Sequence, residues 1–220
     1  MDEPAVAWER RYAAGRALNV YPFDVVVTLT ARYFGGRDCR GLTVLDLGSG
    51  AGNHALFFAR LGFDVTCVDV SATAHEVART RFEAEGLTAA FHVMTFDAVA
   101  SLGRFDLVLD RGSLYYEPFD RLRSAVIPAV RECLAPGGLL FSCLLSTEHP
   151  AADLPRDVES SDRDGGIPLT ILDREAVYEL FKPLFIVQLY HLALTQLHVA
   201  PGEPALGEDG EFIVVCRRDA

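Results

Sequence analysis

VLDLGSGAGNHALFFARLG, Val44 to Gly62, is the stretch on which the fold turns. A short apolar run containing one aspartate passes into three glycines at alternate positions, Gly48, Gly50 and Gly52, and then into an apolar pattern of helical spacing. Strand, glycine turn and helix in that order form a pocket where backbone can approach a nucleotide-like ligand closely.

Working outward, apolar runs alternate with helical patterns. LTVLDLG (42–48), DVTCVDV (64–70), AAFHVMTFD (89–97), FDLVLDR (105–111) and GGLLFSCLLS (137–146) read as strands. HALFFARLG, ATAHEVARTRFEAEG and DRLRSAVIPAVRECLAPGG read as the intervening helices, the last expected to stop at Pro136-Gly137-Gly138. Near-continuous apolar strands separated by helices indicate a parallel sheet buried on both faces, hence an α/β, doubly wound arrangement. Further on, helix DREAVYELFKPL leads to FIVQLYHLALTQL and EFIVVCRR with no helix between them. Two strands so joined should pair antiparallel, so a seven-stranded, mostly parallel sheet with a reversed final strand is expected.

The domain reading is an N-terminal helical cap segment, residues 1–41, and a core domain, 42–220, with a lid insertion at 147–168. That insertion, TEHPAADLPRDVESSDRDGGIP, is polar and proline-bearing, as functional lids often are.

The chain has 220 residues, enough for one substantial core. No apolar run approaches the roughly 20 residues that span a bilayer, and MDEPAVAWERR lacks a signal-peptide core, so a cytoplasmic protein without a membrane partner is expected. Acidic residues outnumber basic ones 31 to 20, and basic residues cluster only in pairs such as Arg10-Arg11 and Arg217-Arg218; a phosphate backbone would be repelled, so no nucleic-acid partner is expected. The five cysteines, Cys39, Cys67, Cys133, Cys143 and Cys216, form no C-x-x-C pair, which argues against a structural metal or redox dithiol.

The glycine turn departs from the dinucleotide fingerprint, since its third glycine comes one position early and Asp46 stands just ahead of it. A carboxylate there repels a pyrophosphate but suits an ammonium or sulfonium group. Asp69, ending the second strand, is placed to accept from a ribose diol, and Asp97, after the third, from the exocyclic amine of adenine. Three carboxylates at successive strand ends suit an adenosine that carries positive charge.

VLDLGSGAG, CVDVS, FDAVA, FDLVLDRGSLYY and LAPGGLLFSCLL in that order resemble the motifs of class I S-adenosylmethionine-dependent methyltransferases, small-molecule type. The resemblance is close from Leu42 to Leu145 and looser to EFIVVCRR. It implies a Rossmann-like methyltransferase fold, S-adenosylmethionine as cofactor and methyl transfer to a small-molecule acceptor. It further implies that Gly48, Gly50 and Gly52 admit the methionine portion, that Asp46 orients the turn and reaches the amino group, and that Asp69 holds the ribose. Val70 would lie against the adenine, Asp97 and Ala98 would address its edge, and Asp110 and Arg111 would face the reacting end. WERRYAAG, with Trp8 and Tyr12 on one helical face, is similar to segments that fold over the cofactor in such enzymes.

Acceptor-side candidates are Ser113, Tyr115 and Tyr116 after the fourth strand and Glu148 and His149 after the fifth, with His149, Asp110 and Tyr115 as the catalytic set. His149 has the titration range of a base near neutral pH. His54 is expected in the first helical turn without a chemical role. No metal requirement is visible. Two other readings stay open: a non-catalytic S-adenosylmethionine-binding subunit, and aminopropyl transfer on the same fold. The acceptor and the oligomeric state are left open by the sequence.

Overall fold

The computed structural model describes residues 3–147, 169–194 and 209–219. Its sheet runs β3-β2-β1-β4-β5-β8-β7. The strands are β1 (Thr43–Leu47), β2 (Asp64–Asp69), β3 (Ala90–Val93), β4 (Phe105–Arg111), β5 (Leu134–Ser146), β7 (Phe185–Leu194) and β8 (Asp209–Arg217). β1 to β5 pair in parallel, and β8 is antiparallel to both β5 and β7. The expected mostly parallel sheet with one reversed strand is therefore present. A two-residue strand, β6 (Ile171–Leu172), adds an eighth member by pairing with the end of β5.

Both faces are covered because the strands alternate between two cores. Leu45, Leu47, Val108, Leu140 and Val214 join the core of α6 (Ile127–Cys133) and α7 (Arg174–Leu180). Val44, Leu107, Leu109, Phe141 and Val215 join the opposite core of α2 (Asp24–Phe34) and α3 (Asn53–Arg60). The period-2 alternation of side chains thus loads both faces with apolar residues. Each such burial stabilises by roughly 1.5–3 kcal/mol, so one polar substitution in β1 or β4 would be costly.

Helix starts follow local chemistry. Ser71 caps α4 (Ala72–Ala84) by accepting the Ala74 amide at 3.0 Å, and Asp173 caps α7 by accepting that of Ala176 at 2.8 Å. One boundary differs from expectation. The helix before β5 ends at Cys133, and Pro136-Gly137-Gly138 already belongs to β5. Pairing with β4 slips there, from Phe105↔Leu134 to Leu107↔Leu139, and such a bulge accommodates a proline that regular pairing would not.

In this order β1 lies between β2 and β4, one reached by a crossover to each side. The carboxyl ends of β1, β2 and β4 therefore border a crevice at the switch point, where ligands of open α/β sheets bind.

Candidate functional site

A cavity of about 210 Å³ opens at that crevice. Its floor includes Gly48, Asp69 and Val70, its far wall Gly112 and Ser113, and its roof Pro4, Ala5, Trp8 and Tyr12 of α1 (Glu3–Ala13).

The glycine turn has left-handed backbone where side chains would collide. At Gly48 (φ +66°) a Cβ would stand 2.3 Å from Cβ of Ser113, and at Gly50 (φ +51°) 2.5 Å from the Tyr12 hydroxyl. These glycines let the β1 turn, the loop after β4 and the roof helix converge.

Two buried carboxylates flank the turn. Asp46 is 1% exposed and its Oδ2 has no hydrogen-bond partner. Burial, then the charges of Asp69 and Asp110, push its pKa up to about 8, against the Ala55 amide that lowers it. Asp69 accepts the Gly50 amide on Oδ2 and the Ser71 amide on Oδ1, both at 2.9 Å. Burial pushes it up to about 6, with the Ser71, Gly50 and Val70 amides acting in the other direction. A carboxylate offers roughly four acceptor sites, so Asp69 keeps acceptor capacity beyond these amides. An orphaned buried carboxylate oxygen costs free energy that a cationic ligand group would recover.

The roof is latched. Glu9 accepts hydrogen bonds from the Ser71 hydroxyl at 2.6 Å, the Thr73 hydroxyl, and the Thr73 amide at 3.4 Å. These bonds, Ser71 first, hold the Glu9 carboxyl below its usual range. Trp8 meets Tyr116 edge-on, with ring centroids 4.9 Å apart, so an aromatic pair joins roof to far wall. Arg81 of α4 donates to the carbonyls of Leu18, Asn19 and Ala51 and so ties the segment after α1 to the glycine turn.

The residues after β4 divide by role. Asp110 is fully buried and accepts from the Ser113 hydroxyl (2.7 Å), the Ser142 hydroxyl (2.6 Å) and the amides of Ser113 and Leu114. Its carboxylate organises the turn that carries Ser113 and is not among the groups lining the cavity. Arg111 is likewise outside the lining set: its guanidinium pairs with Glu211 of β8 at 2.8 Å and lies 4.3 Å over the Phe23 ring. Tyr115 packs against the apolar core, whereas its neighbour Tyr116 faces the cavity.

At the end of β3 the cavity is lined by Thr95 and Phe96, and Asp97 and Ala98 are exposed on the adjoining 3₁₀ turn. Arg121 also lines it, between Asp97 (3.3 Å) and Glu117 (3.1 Å). Trp8 and Tyr116 were visible in the sequence as aromatic candidates; Thr95, Glu117 and Arg121 carried no motif. His54 is buried against Phe23, which burial holds neutral with a pKa of about 3. His149 and Glu148, and all of the expected lid insertion at 147–168 beyond Thr147, lie outside the described residues. Among the described residues no cluster of three metal-binding side chains occurs, and no helix is long and apolar enough to cross a membrane.

The sheet order with its reversed strand and the cavity over a glycine turn define a class I methyltransferase fold. Residues 44–138 match the methyltransferase domain family. The ubiquinone biosynthesis O-methyltransferase of Roseobacter denitrificans is 39% identical over 131 residues, 56% of this chain and 50% of that one. The enzyme of the same description from Cereibacter sphaeroides is 38% identical over 108 residues, 49% and 42% of the two chains. The chain spans about half the length of the curated relatives it matches. Among solved structures, one from work on conversion of a disulfide bond into a thioacetal group during echinomycin biosynthesis superposes with a TM-score of 0.68 at 28% identity, covering 90% of this chain and 83% of that one. The N-methyltransferase NodS from Bradyrhizobium japonicum WM9, in complex with S-adenosyl-L-homocysteine, superposes with a TM-score of 0.69 at 18% identity over 100% of both chains, a likeness of fold.

Proposed function

We propose that this chain binds S-adenosylmethionine over the glycine turn and transfers its methyl group to a small-molecule acceptor. The observation that carries the reading is the pairing of Asp69 with the positive-φ Gly48 on one cavity floor, backed by an orphaned, buried Asp46 oxygen in the strand that leads into the turn. The O-methyltransferases and the S-adenosyl-L-homocysteine complex among its relatives support it. A pyrophosphate cofactor would meet carboxylates where it needs amides.

When bound, the cofactor supplies an electrophilic methyl on a sulfonium centre. Gly48 and Gly50 give it backbone contact that a side chain would block. Asp46 offers its free oxygen to positive charge, and Asp69 its remaining lone pairs to the ribose hydroxyls. Val70 lies at the cavity for the base. Trp8 and Tyr12 close the roof and exclude water, so proximity and alignment carry the rate rather than proton transfer. Where the acceptor arrives protonated, His149 is the base we assign from the sequence. Residues 1–41 serve as the cap and 42–220 as the catalytic core. A net charge of −11 disfavours a nucleic-acid acceptor.

The test is calorimetric titration with S-adenosylmethionine, S-adenosylhomocysteine and NAD, on the chain and on Asp69→Ala. Both adenosyl ligands should bind and NAD should not, with affinity falling at least about tenfold in the variant, as expected for lost hydrogen bonds to a charged group. Binding of NAD alone would overturn the reading.

A further inference from the structure

The adenine edge presents a hydrogen-bond donor, the exocyclic amine, beside an acceptor, ring nitrogen N1. A reader of that edge therefore needs an acceptor and a donor side by side. The sequence supplies Asp97 as the acceptor and suggests the neighbouring Ala98 as its companion. In the structure the Ala98 amide is already committed, donating to the Thr95 carbonyl at 3.2 Å within the 3₁₀ turn. The donor must come from elsewhere.

Arg121 is in place. It lines the cavity together with Thr95, Phe96 and Glu117. One terminal nitrogen lies 3.3 Å from Asp97 Oδ1, and Nε lies 3.1 Å from Glu117 Oε2. Two carboxylates on different elements, the turn after β3 and the loop after β4, thus pair by charge with the guanidinium at the rim, whose Nε keeps no hydrogen-bond partner. The chain leaves Arg121 directly into a π-helical turn, Leu122–Val126, a local distortion often found where a side chain is re-aimed for function.

We propose that Arg121 is the donor to the ring nitrogen of the adenine edge, with Asp97 accepting from the amine beside it. This assignment rests on the cofactor reading above. Asp97 and Arg121 then form one donor–acceptor unit: hypoxanthine, with a carbonyl and an N–H in the corresponding places, meets the wrong partner twice.

The experiment is equilibrium binding of S-adenosylhomocysteine, its 1-deazaadenine analogue and S-inosylhomocysteine to the full chain, to Arg121→Met and to Arg121→Lys. The chain should bind S-adenosylhomocysteine about tenfold or more tightly than the 1-deaza analogue, the usual effect of one charged hydrogen bond, and should reject the inosyl ligand further. Arg121→Met should bind S-adenosylhomocysteine and the 1-deaza analogue equally, and Arg121→Lys should restore part of the preference. If Arg121→Met weakens all three ligands but keeps the original ratios, the residue merely ties Asp97 to Glu117 and the assignment is overturned. If the unaltered chain does not bind S-adenosylhomocysteine at all, the cofactor reading falls and this assignment with it.

Discussion

The Glu9 carboxylate accepts the Ser71 hydroxyl at 2.6 Å across 62 positions of sequence, joining the roof helix α1 to the N-cap of α4. The same serine donates its amide to Asp69, so the roof and the cavity-floor carboxylate share one anchor. Glu9→Ala should therefore loosen the roof without disturbing the floor. We expect a loss of about 1 kcal/mol in stability and a several-fold faster release of bound S-adenosylhomocysteine, read by stopped-flow fluorescence. Because the folded pKa of Glu9 is lowered, the latch contributes fully above its unfolded value of 4.5 and weakens as pH falls through the lower folded one. An unchanged release rate would show that α1 is held by Trp8 and Tyr12 alone.

Asp46 sets a conflict between stability and binding. Its carboxyl titrates near 8 when folded against 3.8 when free, so the folded state binds more protons between those values. Stability contributed by this group is greatest below pH 3.8 and falls as pH rises towards 8. Asp46→Asn should therefore stabilise the free protein at pH 8 by about 1–2 kcal/mol, seen as a higher melting temperature, while weakening S-adenosylmethionine binding at least tenfold. For the unaltered chain, affinity should climb with pH through the range from about 6 to about 8 where Asp69 and Asp46 ionise. A flat affinity profile over that range would remove Asp46 from the cation-binding role.

Gly50 and Tyr12 can be tested as a pair. Gly50→Ala puts a methyl 2.5 Å from the Tyr12 hydroxyl oxygen but 3.4 Å from the ring carbon that bears it. The alanine should cost about 1–2 kcal/mol from its left-handed backbone alone, and more from the collision. Tyr12→Phe removes the colliding oxygen, so the second contribution should disappear in the double variant while the first persists. Thermal melts of the four proteins give the coupling. Strict additivity would mean that the roof moves aside freely.

All five cysteines are buried, and burial raises the thiol pKa of each, Cys133 and Cys216 to about 12. Thiolate is the reactive form, so the native protein should titrate with fewer than one equivalent of a thiol reagent at pH 8 and with five after denaturation. Rapid modification of Cys39, the cysteine nearest a surface turn, would be the outcome against this.

What could be read from the sequence was what local pattern encodes. Strand alternation and the glycine spacing located β1, the turn and α3, and put Asp46 near the end of β1 and Asp69 at the end of β2, because local period and turn chemistry fix those positions. Partners far apart in sequence left no such mark. Arg111, which looked like a cofactor contact beside Gly112, spends its charge on Glu211, 100 positions away. Arg121 sits in DRLRSAVIPAVREC, where helical spacing makes an arginine look like an ordinary solvent-facing residue. Asp110 ended an apolar strand as a catalytic acid would, yet four donors from two elements enclose it. β6 is two residues long, too short for any period to show.

The reversed strand also governs how the molecule can be made. β8 fills the slot between β5 and β7, although both of those strands precede it in the chain. On the ribosome, the parallel part of the sheet therefore waits with the edge of β5 open, and β7 emerges with no strand to join. Until β8 arrives, two unpaired apolar edges coexist in one nascent chain, the condition under which strands add to the wrong neighbour. Slowing translation ahead of β8 should lower the soluble yield of this protein, while the same delay placed between β1 and β2 should matter far less.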